Sequence, residues 1–224
     1  MTDTAQQVEH AWGYLTPPEV RFLDAALARL IPADELGPGA KEARVTVFID
    51  RQMCTPYGVF ARAYRTGPWH EGTPQQGWQC PLTPQEIYRT AIREVDMHCV
   101  KQHDKPFCFL TAEQQDALLN SLQQGKFDMQ ALDANVFFDL LLKNTKEGFF
   151  GDPMHGGNHD KVGWKLVGFP GVAASNYPSY MGRDHDEKIY EVEPVSILDI
   201  IQKRAQVDTQ GYAVHVKINQ KPKD

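Results

Sequence analysis

Four side chains with metal-binding chemistry lie close together in the second half of the chain: Asp152, His155, His159 and Asp160. Imidazole and carboxylate groups together bind zinc or a hard divalent ion, which would make this a free-standing metal-binding protein or enzyme. However, a four-residue spacing aligns two imidazoles only on a helix, and the glycine pair between the histidines disfavours a helix. We therefore favour the alternative, in which the histidines bond backbone groups of a tight loop and Asp152 caps a turn.

Other reactive groups lack the surroundings that catalysis requires. No serine lies in a G-x-S-x-G elbow. His98 and His103 fall near the end of a predicted helix, where an interaction with the helix dipole explains them. Glu191 and Glu193 lie in a polar segment and are expected to be solvated. We predict no catalytic residues in this chain.

Cofactor and nucleic-acid binding are both disfavoured by what the sequence lacks. A dinucleotide-binding unit needs a G-x-G-x-x-G turn between a strand and a helix, and the chain contains none. We therefore expect this chain to bind neither FAD nor NAD by itself. A formal net charge of -6 argues against a nucleic-acid partner, since phosphate contacts require clustered Lys and Arg.

Four cysteines, Cys54, Cys80, Cys99 and Cys108, are candidates for disulfides. They are widely spaced and form no C-x-x-C motif for zinc or redox chemistry. In an oxidising compartment three pairing schemes are open; Cys99 with Cys108 and Cys54 with Cys80 would each tie down a loop. Free thiols in a reducing compartment, or a cysteine that faces a partner, are the alternatives.

Helix-start signals recur along the first two thirds of the chain. Thr16, Thr83 and Thr111 are each followed three residues later by Glu or Gln, which is the capping-box pattern. The predicted helices run from 17 to about 30, from 84, from 112, from about 133 to 146, and more briefly over 44–53 and 57–64. These elements predict helix-on-helix packing, and therefore an all-α fold.

Long irregular segments accompany the helices. We predict an irregular helical domain over 1–180 with long Gly/Pro-rich loops, and an extended C-terminal arm over 181–224. Within the arm, 196–202 is a short helical candidate, and 212–218 alternates like a strand that pairs with a sheet edge, which could belong to another chain. No stretch approaches the roughly 18 apolar residues that a membrane-spanning helix requires.

The segment from Glu147 to Gly171 has neither a helical nor a strand period. Such segments are expected to present surface to another molecule rather than to build a core. Its pattern FF-G-D-P-x-x-GGN-x-D-x-x-G-W-K-x-x-G-F-P-G resembles the gluconate 2-dehydrogenase subunit 3 family. The opening helix with its Leu-Ile-Pro ending belongs to the same resemblance.

This resemblance implies a large flavoprotein partner of the glucose-methanol-choline (GMC) type, usually accompanied by a multihaem cytochrome c subunit. FAD and haem c would then belong to the partners. The implied complex oxidises a sugar, sugar acid or sugar alcohol in the periplasm and is associated with the cytoplasmic membrane through partner subunits. Many members resemble substrates of twin-arginine export. The opening MTDTAQQVEHAWGYL has no Arg-Arg pair and no apolar signal core, so we expect a removed signal or one on the partner.

The resulting hypothesis is a non-catalytic subunit that stabilises the flavoprotein and escorts it during export. Residues 147–171 would be the docking segment, with four aromatic residues as partner-binding anchors: Phe149, Phe150, Trp164 and Phe169. The alternative for these aromatics is that some of them close the small core of this chain itself.

Overall fold

A computed structural model describes residues 10–63, 65–70, 72–73, 75, 80–172, 191–206 and 217–219. Helices dominate these residues, which confirms the all-α prediction. The α-helices among them are α1 (Pro17–Leu30), α2 (Val45–Met53), α3 (Pro84–His103), α4 (Ala112–Gln123), α5 (Ala134–Phe150), α6 (Val162–Val167) and α7 (Ile197–Ile201). Short 3-10 turns lie at Phe107–Phe109, Pro153–His155 and His159–Lys161.

The predicted capping boxes start α3 and α4. The Thr83 backbone N–H donates to Glu86 Oε2 at 2.7 Å, and the Glu86 N–H donates back to Thr83 Oγ1 at 3.2 Å. Thr111 and Gln114 repeat this exchange at the start of α4. Each box satisfies backbone donors that a helix start would otherwise leave without partners.

Two predicted elements differ from the structure. Residues 57–63 form turns rather than a helix: Phe60 has a left-handed φ of 50°, and the Gly58 carbonyl accepts a hydrogen bond from Gln85 in α3. The helix predicted to end near 146 continues to Phe150, and the Gly151 N–H bonds the Glu147 carbonyl at 2.8 Å to close it.

The C-terminal residues form a small paired element. Strand β1 (Glu191–Val192) runs antiparallel to β2 (Lys217–Asn219). The predicted strand over 212–218 overlaps β2 at its end, while 212–216 lie outside the described residues. The proposed domain boundary at 180 also lies outside them and stays a prediction.

The chain divides into two compact units. Unit 1 comprises Met1–Ala26 and Ile49–Leu140, and unit 2 comprises Leu27–Phe48 and Leu141–Asp224. None of the described helices has both the length and the apolar composition needed to span a bilayer.

Aromatic side chains form the centre of unit 1. Phe22 and Phe107 have ring centroids 4.6 Å apart, and Tyr88 meets Phe137 edge to face at 5.9 Å. All four side chains are fully buried. Such contacts add to the apolar area that each ring removes from water, and they hold α1, α3 and α5 together within this unit.

A buried carboxylate fixes the start of the described chain to α2 in unit 1. Asp50 accepts hydrogen bonds from the backbone N–H groups of Gly13, Tyr14 and Leu15 at 2.8–2.9 Å. His10 Nε2 lies 3.2 Å from the same side chain. These three amides precede α1, so Asp50 sets the direction from which the chain enters that helix.

Unit 2 is built around the end of α5. Its buried apolar residues include Leu27, Ala43, Phe48, Leu141, Phe149 and Trp164. Gly148 of α5 lies so close to α2 that a β-carbon there would come within 2.9 Å of the Val45 and Phe48 side chains. The residues after α5 fold back onto this core, as described below.

Candidate docking surface

Of the four residues of the metal hypothesis, Asp152 bonds backbone groups of unit 2, and His159 pairs with Asp160. Both oxygens of Asp152 accept backbone hydrogen bonds, and His159 Nδ1 lies 3.1 Å from the exposed carboxylate of Asp160. Across the described part of the chain, no group of three or more His, Cys, Asp or Glu side chains is arranged to hold a metal ion. The interpretation of Asp152 as a turn cap agrees with the structure, since it caps the 3-10 turn after α5.

Asn158 holds the glycine-rich segment in a closed conformation. Its side chain is fully buried, donates from Nδ2 to the Gly151 carbonyl at 2.8 Å and accepts from the Gly163 N–H at 2.8 Å. The residue adopts left-handed φ and ψ angles of 46° and 41°, a conformation that asparagine tolerates better than most residues. One side chain therefore joins the end of α5 to the start of α6; we call residues 151–163 the clasp.

Two glycines let the clasp approach the α5 backbone. A β-carbon on Gly157 would overlap the Gly148 carbonyl, and one on Gly163 would overlap the Phe149 carbonyl. Only glycine fits at these contacts. The pattern GGN-x-D-x-x-G therefore describes close backbone packing within this chain.

The four predicted anchors separate into two buried and two exposed residues. Phe149 and Trp164 are only 1% and 5% exposed, and Trp164 Nε1 donates to the Phe150 carbonyl at 2.6 Å. Phe150 and Phe169 are 41% and 46% exposed. The alternative from the sequence thus applies to Phe149 and Trp164, which close the core of unit 2. The expectation that residues 147–171 contribute only surface is wrong for these two.

Other apolar side chains on unit 2 are exposed in addition to these two. They are Leu36, Met154, Leu166, Val167, Ile197 and Ile201. Exposed apolar residues scattered singly are normal, whereas a contiguous patch of them is typical of an interaction site.

A groove of about 340 Å³ lies among some of these residues in unit 2. Its apolar lining comes from the end of α1 and the loop after it, together with the end of α5 and α6: Leu30, Ile31, Pro32, Leu36, Phe149, Val162 and Leu166. The charged side chains at the groove have partners in this chain, since Asp34 accepts from the Leu36 N–H at 2.8 Å and Lys165 pairs with Glu193 at 3.1 Å. The groove therefore has a largely apolar lining with one acidic and one basic side chain.

A network of charged side chains joins the C-terminal residues to the clasp. Lys161 Nζ lies 3.0 Å from Asp199 Oδ2 and 3.7 Å from Glu193. Arg204 contacts Asp199 Oδ1 at 3.0 Å, and Ser196 donates to Oδ2 from both its backbone N–H and its hydroxyl. Burial opposes ionisation of Asp199, but the hydrogen bonds from Ser196 and Lys161 hold its pKa below the ordinary value.

The four cysteines are all described and form no disulfide in this structure. Burial raises the pKa of each thiol, and that of Cys99 to about 12. Because the thiolate is the nucleophile, these surroundings do not favour cysteine chemistry at neutral pH. The pairings proposed for an oxidising compartment stay predictions. Among the described serines, Ser196 caps α7.

A sequence model of one protein family, gluconate 2-dehydrogenase subunit 3, matches residues 17–171. The chain belongs to this family. The match begins at the first residue of α1 and ends just after α6, so it includes the clasp and every residue that lines the groove. It does not include α7. Searches of curated proteins and of solved structures each give no match.

Sequence reasoning missed several exposed apolar residues of this subunit. Four of them are of residue types that usually fill a core, and nothing in their local sequence indicates that they stay exposed: Leu36, Leu166, Ile197 and Ile201. A signal did exist for Phe149, because Leu141, Thr145 and Phe149 recur every four residues and are all buried along α5. Extending the predicted helix by one turn would have placed Phe149 on that buried face.

Proposed function

We propose that this chain is the non-catalytic small subunit of a periplasmic FAD-dependent dehydrogenase complex that oxidises a sugar or sugar acid. It binds a large GMC-type flavoprotein subunit, stabilises it and escorts it during export. FAD lies in that large subunit, and a multihaem cytochrome c subunit carries haem. The complex is associated with the cytoplasmic membrane through these partner subunits. The observation that carries the proposal is the family match over residues 17–171.

The geometry of unit 2 supports docking through the groove. Leu36 and Leu166 are exposed and also line the groove, and Val167 and Phe169 follow Leu166 in the chain. We call these four residues the docking face. Exposed apolar residues beside a pocket are the arrangement that protein interfaces use for anchor side chains, because a partner side chain can be desolvated there.

Phe149 and Trp164 have a supporting role in this proposal. Phe149 lines the groove, and the Trp164 ring meets the Phe169 ring at 5.2 Å and 70°. Their packing fixes the walls of the groove and the position of Phe169. An interface residue whose position is fixed in advance loses less entropy on binding.

The proposal is tested by replacing two residues of the docking face. We expect L166A/F169A to weaken binding to the proposed flavoprotein partner by about tenfold or more, since central apolar anchors dominate interface energies. Binding is measured by titrating purified full-length subunit against purified flavoprotein. Phe109→Ala is the control, because Phe109 is also an exposed aromatic residue but lies in unit 1.

Circular dichroism of each variant separates loss of docking from loss of folding. If L166A/F169A keeps both its helicity and its full affinity, the docking face is wrongly assigned. If the unmodified subunit neither binds the flavoprotein nor alters its yield, the proposed function itself is wrong.

A further inference from the structure

We propose that residues 193–204, which we call the strap, fix the position of α6 and with it one wall of the groove. Lys161 is the positioning residue through which the strap acts, because the ion pairs of its side chain hold its backbone in a left-handed conformation. The inference goes beyond the proposed function, since it concerns the shape of the isolated chain, whichever molecule enters the groove. The strap lies outside the residues that the family match covers.

Helix α6 lacks the features that stabilise a short helix by itself. It has six residues, whereas isolated helices shorter than about 12 residues are marginal in water. Its N-cap residue is Lys161, whose side chain makes no capping hydrogen bond. The position of α6 therefore depends on contacts from elsewhere in unit 2.

The backbone at the start of α6 has a conformation that lysine disfavours. Lys161 has left-handed φ and ψ angles of 58° and 32°. Asparagine and aspartate visit this region because their short side chains bond locally, and glycine does so because it has no β-carbon, but lysine has neither property. Such a residue stays left-handed only where the surrounding structure fixes it. A relaxed Lys161 would change the direction in which the chain enters α6.

The strap supplies the contacts that fix Lys161. The Nζ atom lies 3.0 Å from Asp199 Oδ2 and 3.7 Å from Glu193 Oε1. The Lys161 and Asp199 side chains are only 17% and 12% exposed, so this pair is better shielded from solvent than a surface ion pair. The Lys161 backbone N–H also donates to the Asn158 carbonyl at 2.8 Å, a bond that replacing the side chain leaves possible. The side chain therefore ends at a defined place on the strap, and this restricts the backbone that carries it.

The strap has attachments of its own on either side of α6. Before α6, Asp152 Oδ2 accepts from the Ile197 N–H at 2.9 Å. After α6, the Val195 N–H donates to the Pro170 carbonyl at 3.1 Å, and the Val172 N–H donates to the Val195 carbonyl at 2.8 Å. The strap can therefore serve as a fixed support for the start of this helix.

The shape of the groove depends on where α6 lies. Val162, Lys165 and Leu166 of α6 supply part of the groove lining. Lys165 also contacts the strap directly, since its Nζ atom lies 3.1 Å from Glu193 Oε1. A change in the direction of α6 would move all three lining residues. One wall of the groove is thus positioned by residues that do not line it.

The test compares three replacements of Lys161 in the full chain. Lys161→Met removes the charge and keeps a long side chain, Lys161→Gly removes the charge but permits the left-handed backbone, and Lys161→Arg keeps the charge. Amide hydrogen exchange over 162–169 is measured, with Lys143→Met as the control. Lys143 also pairs with a carboxylate in unit 2, Glu147 at 3.9 Å, but its side chain is 62% exposed.

We expect K161M to speed exchange over 162–169 by about tenfold or more, since the strap would no longer oppose local opening of α6. K161G should exchange about fivefold more slowly than K161M, because glycine adopts the left-handed conformation without strain. K161R and K143M should stay close to the unmodified chain. Exchange in α3, which lies in unit 1, should be the same in every variant.

The contrary outcomes are distinct. Unchanged exchange in K161M, or equal acceleration in K143M, overturns the strap. Exchange in K161G as fast as in K161M overturns the route through the Lys161 backbone, and the same result for K161R overturns the role of the ion pair. If circular dichroism shows that K161M does not fold, K161G decides: protection over 162–169 supports the proposal, and its loss contradicts it. All of these measurements use the isolated chain, so they are independent of whether the proposed flavoprotein binds.

Discussion

At the scale of single residues, Asp50 shows how backbone donors can satisfy most of a buried charge. Its side chain is 2% exposed and accepts three backbone N–H hydrogen bonds. Burial by itself would raise the pKa of this carboxyl. The N–H donors of Gly13, Leu15 and Tyr14, with the contact from His10, outweigh burial and lower the pKa below its ordinary value.

We expect Asp50→Asn to lower the free energy of unfolding by about 1–3 kcal/mol, since the amide N–H₂ would face a backbone donor. Urea denaturation measures this change, with Asp139→Asn on the exposed side of α5 as the control. Comparable destabilisation in both variants would contradict the role given to Asp50.

The lowered pKa of Asp50 also predicts a pH dependence. A carboxyl whose pKa is lower in the folded state stabilises the fold above its unfolded pKa of about 3.9, and this contribution is lost as pH falls through the folded value. The unmodified protein should therefore lose more stability than D50N on acidification below about pH 4. Parallel stability curves for the two proteins in this range would show that the charge is not involved.

At the scale of elements, the clasp explains why the glycine-rich segment has its unusual composition. Asn158 bonds both ends of the clasp, while Gly157 and Gly163 allow backbones to meet. The segment is therefore part of the fold of unit 2, and it also determines which side chains next to it point outward.

Replacing Asn158 by alanine tests the clasp. The variant leaves the Gly151 carbonyl and the Gly163 N–H without their partner, so we expect a loss of about 2 kcal/mol or more in unfolding free energy. Hydrogen exchange at the Gly163 amide should rise together with that loss. Asn120→Ala, at an exposed position of α4, supplies the comparison. Equal effects of the two changes would mean that Asn158 has no special role.

At the scale of the whole molecule, the described residues contain helical packing, a groove with a largely apolar lining and helix caps, and no three His, Cys, Asp or Glu side chains among them are arranged to hold a metal ion. The thiols have raised pKa values, and Asp152 is fully used in backbone hydrogen bonds. In our proposal, the chemistry of the complex belongs to the partner subunits.

We expect the isolated full chain to show no flavin absorbance and no stoichiometric metal, because flavin belongs to the large subunit in our proposal. An absorbance scan and elemental analysis measure both. Stoichiometric metal that disappears in His159→Ala would instead support the metal hypothesis for the clasp.

The sequence by itself determined the elements whose causes are local. Thr83 and Glu86 are three residues apart, so their capping box depends on no other part of the chain, and the apolar period of α1 is equally local. The all-α class follows from such helices. The family was also recognisable, because its pattern lies in one continuous segment.

Only the tertiary structure decided which apolar residues remain exposed. Leu166 and Ile197 are of residue types that usually fill a core, yet both remain exposed, and nothing in their local sequence indicates this. Likewise, Asp152 acquires its second partner, Ile197, only when the chain returns after 45 residues. Residue type sets the free energy of burial, but which surface covers a side chain depends on contacts between distant segments, and local sequence does not encode those contacts.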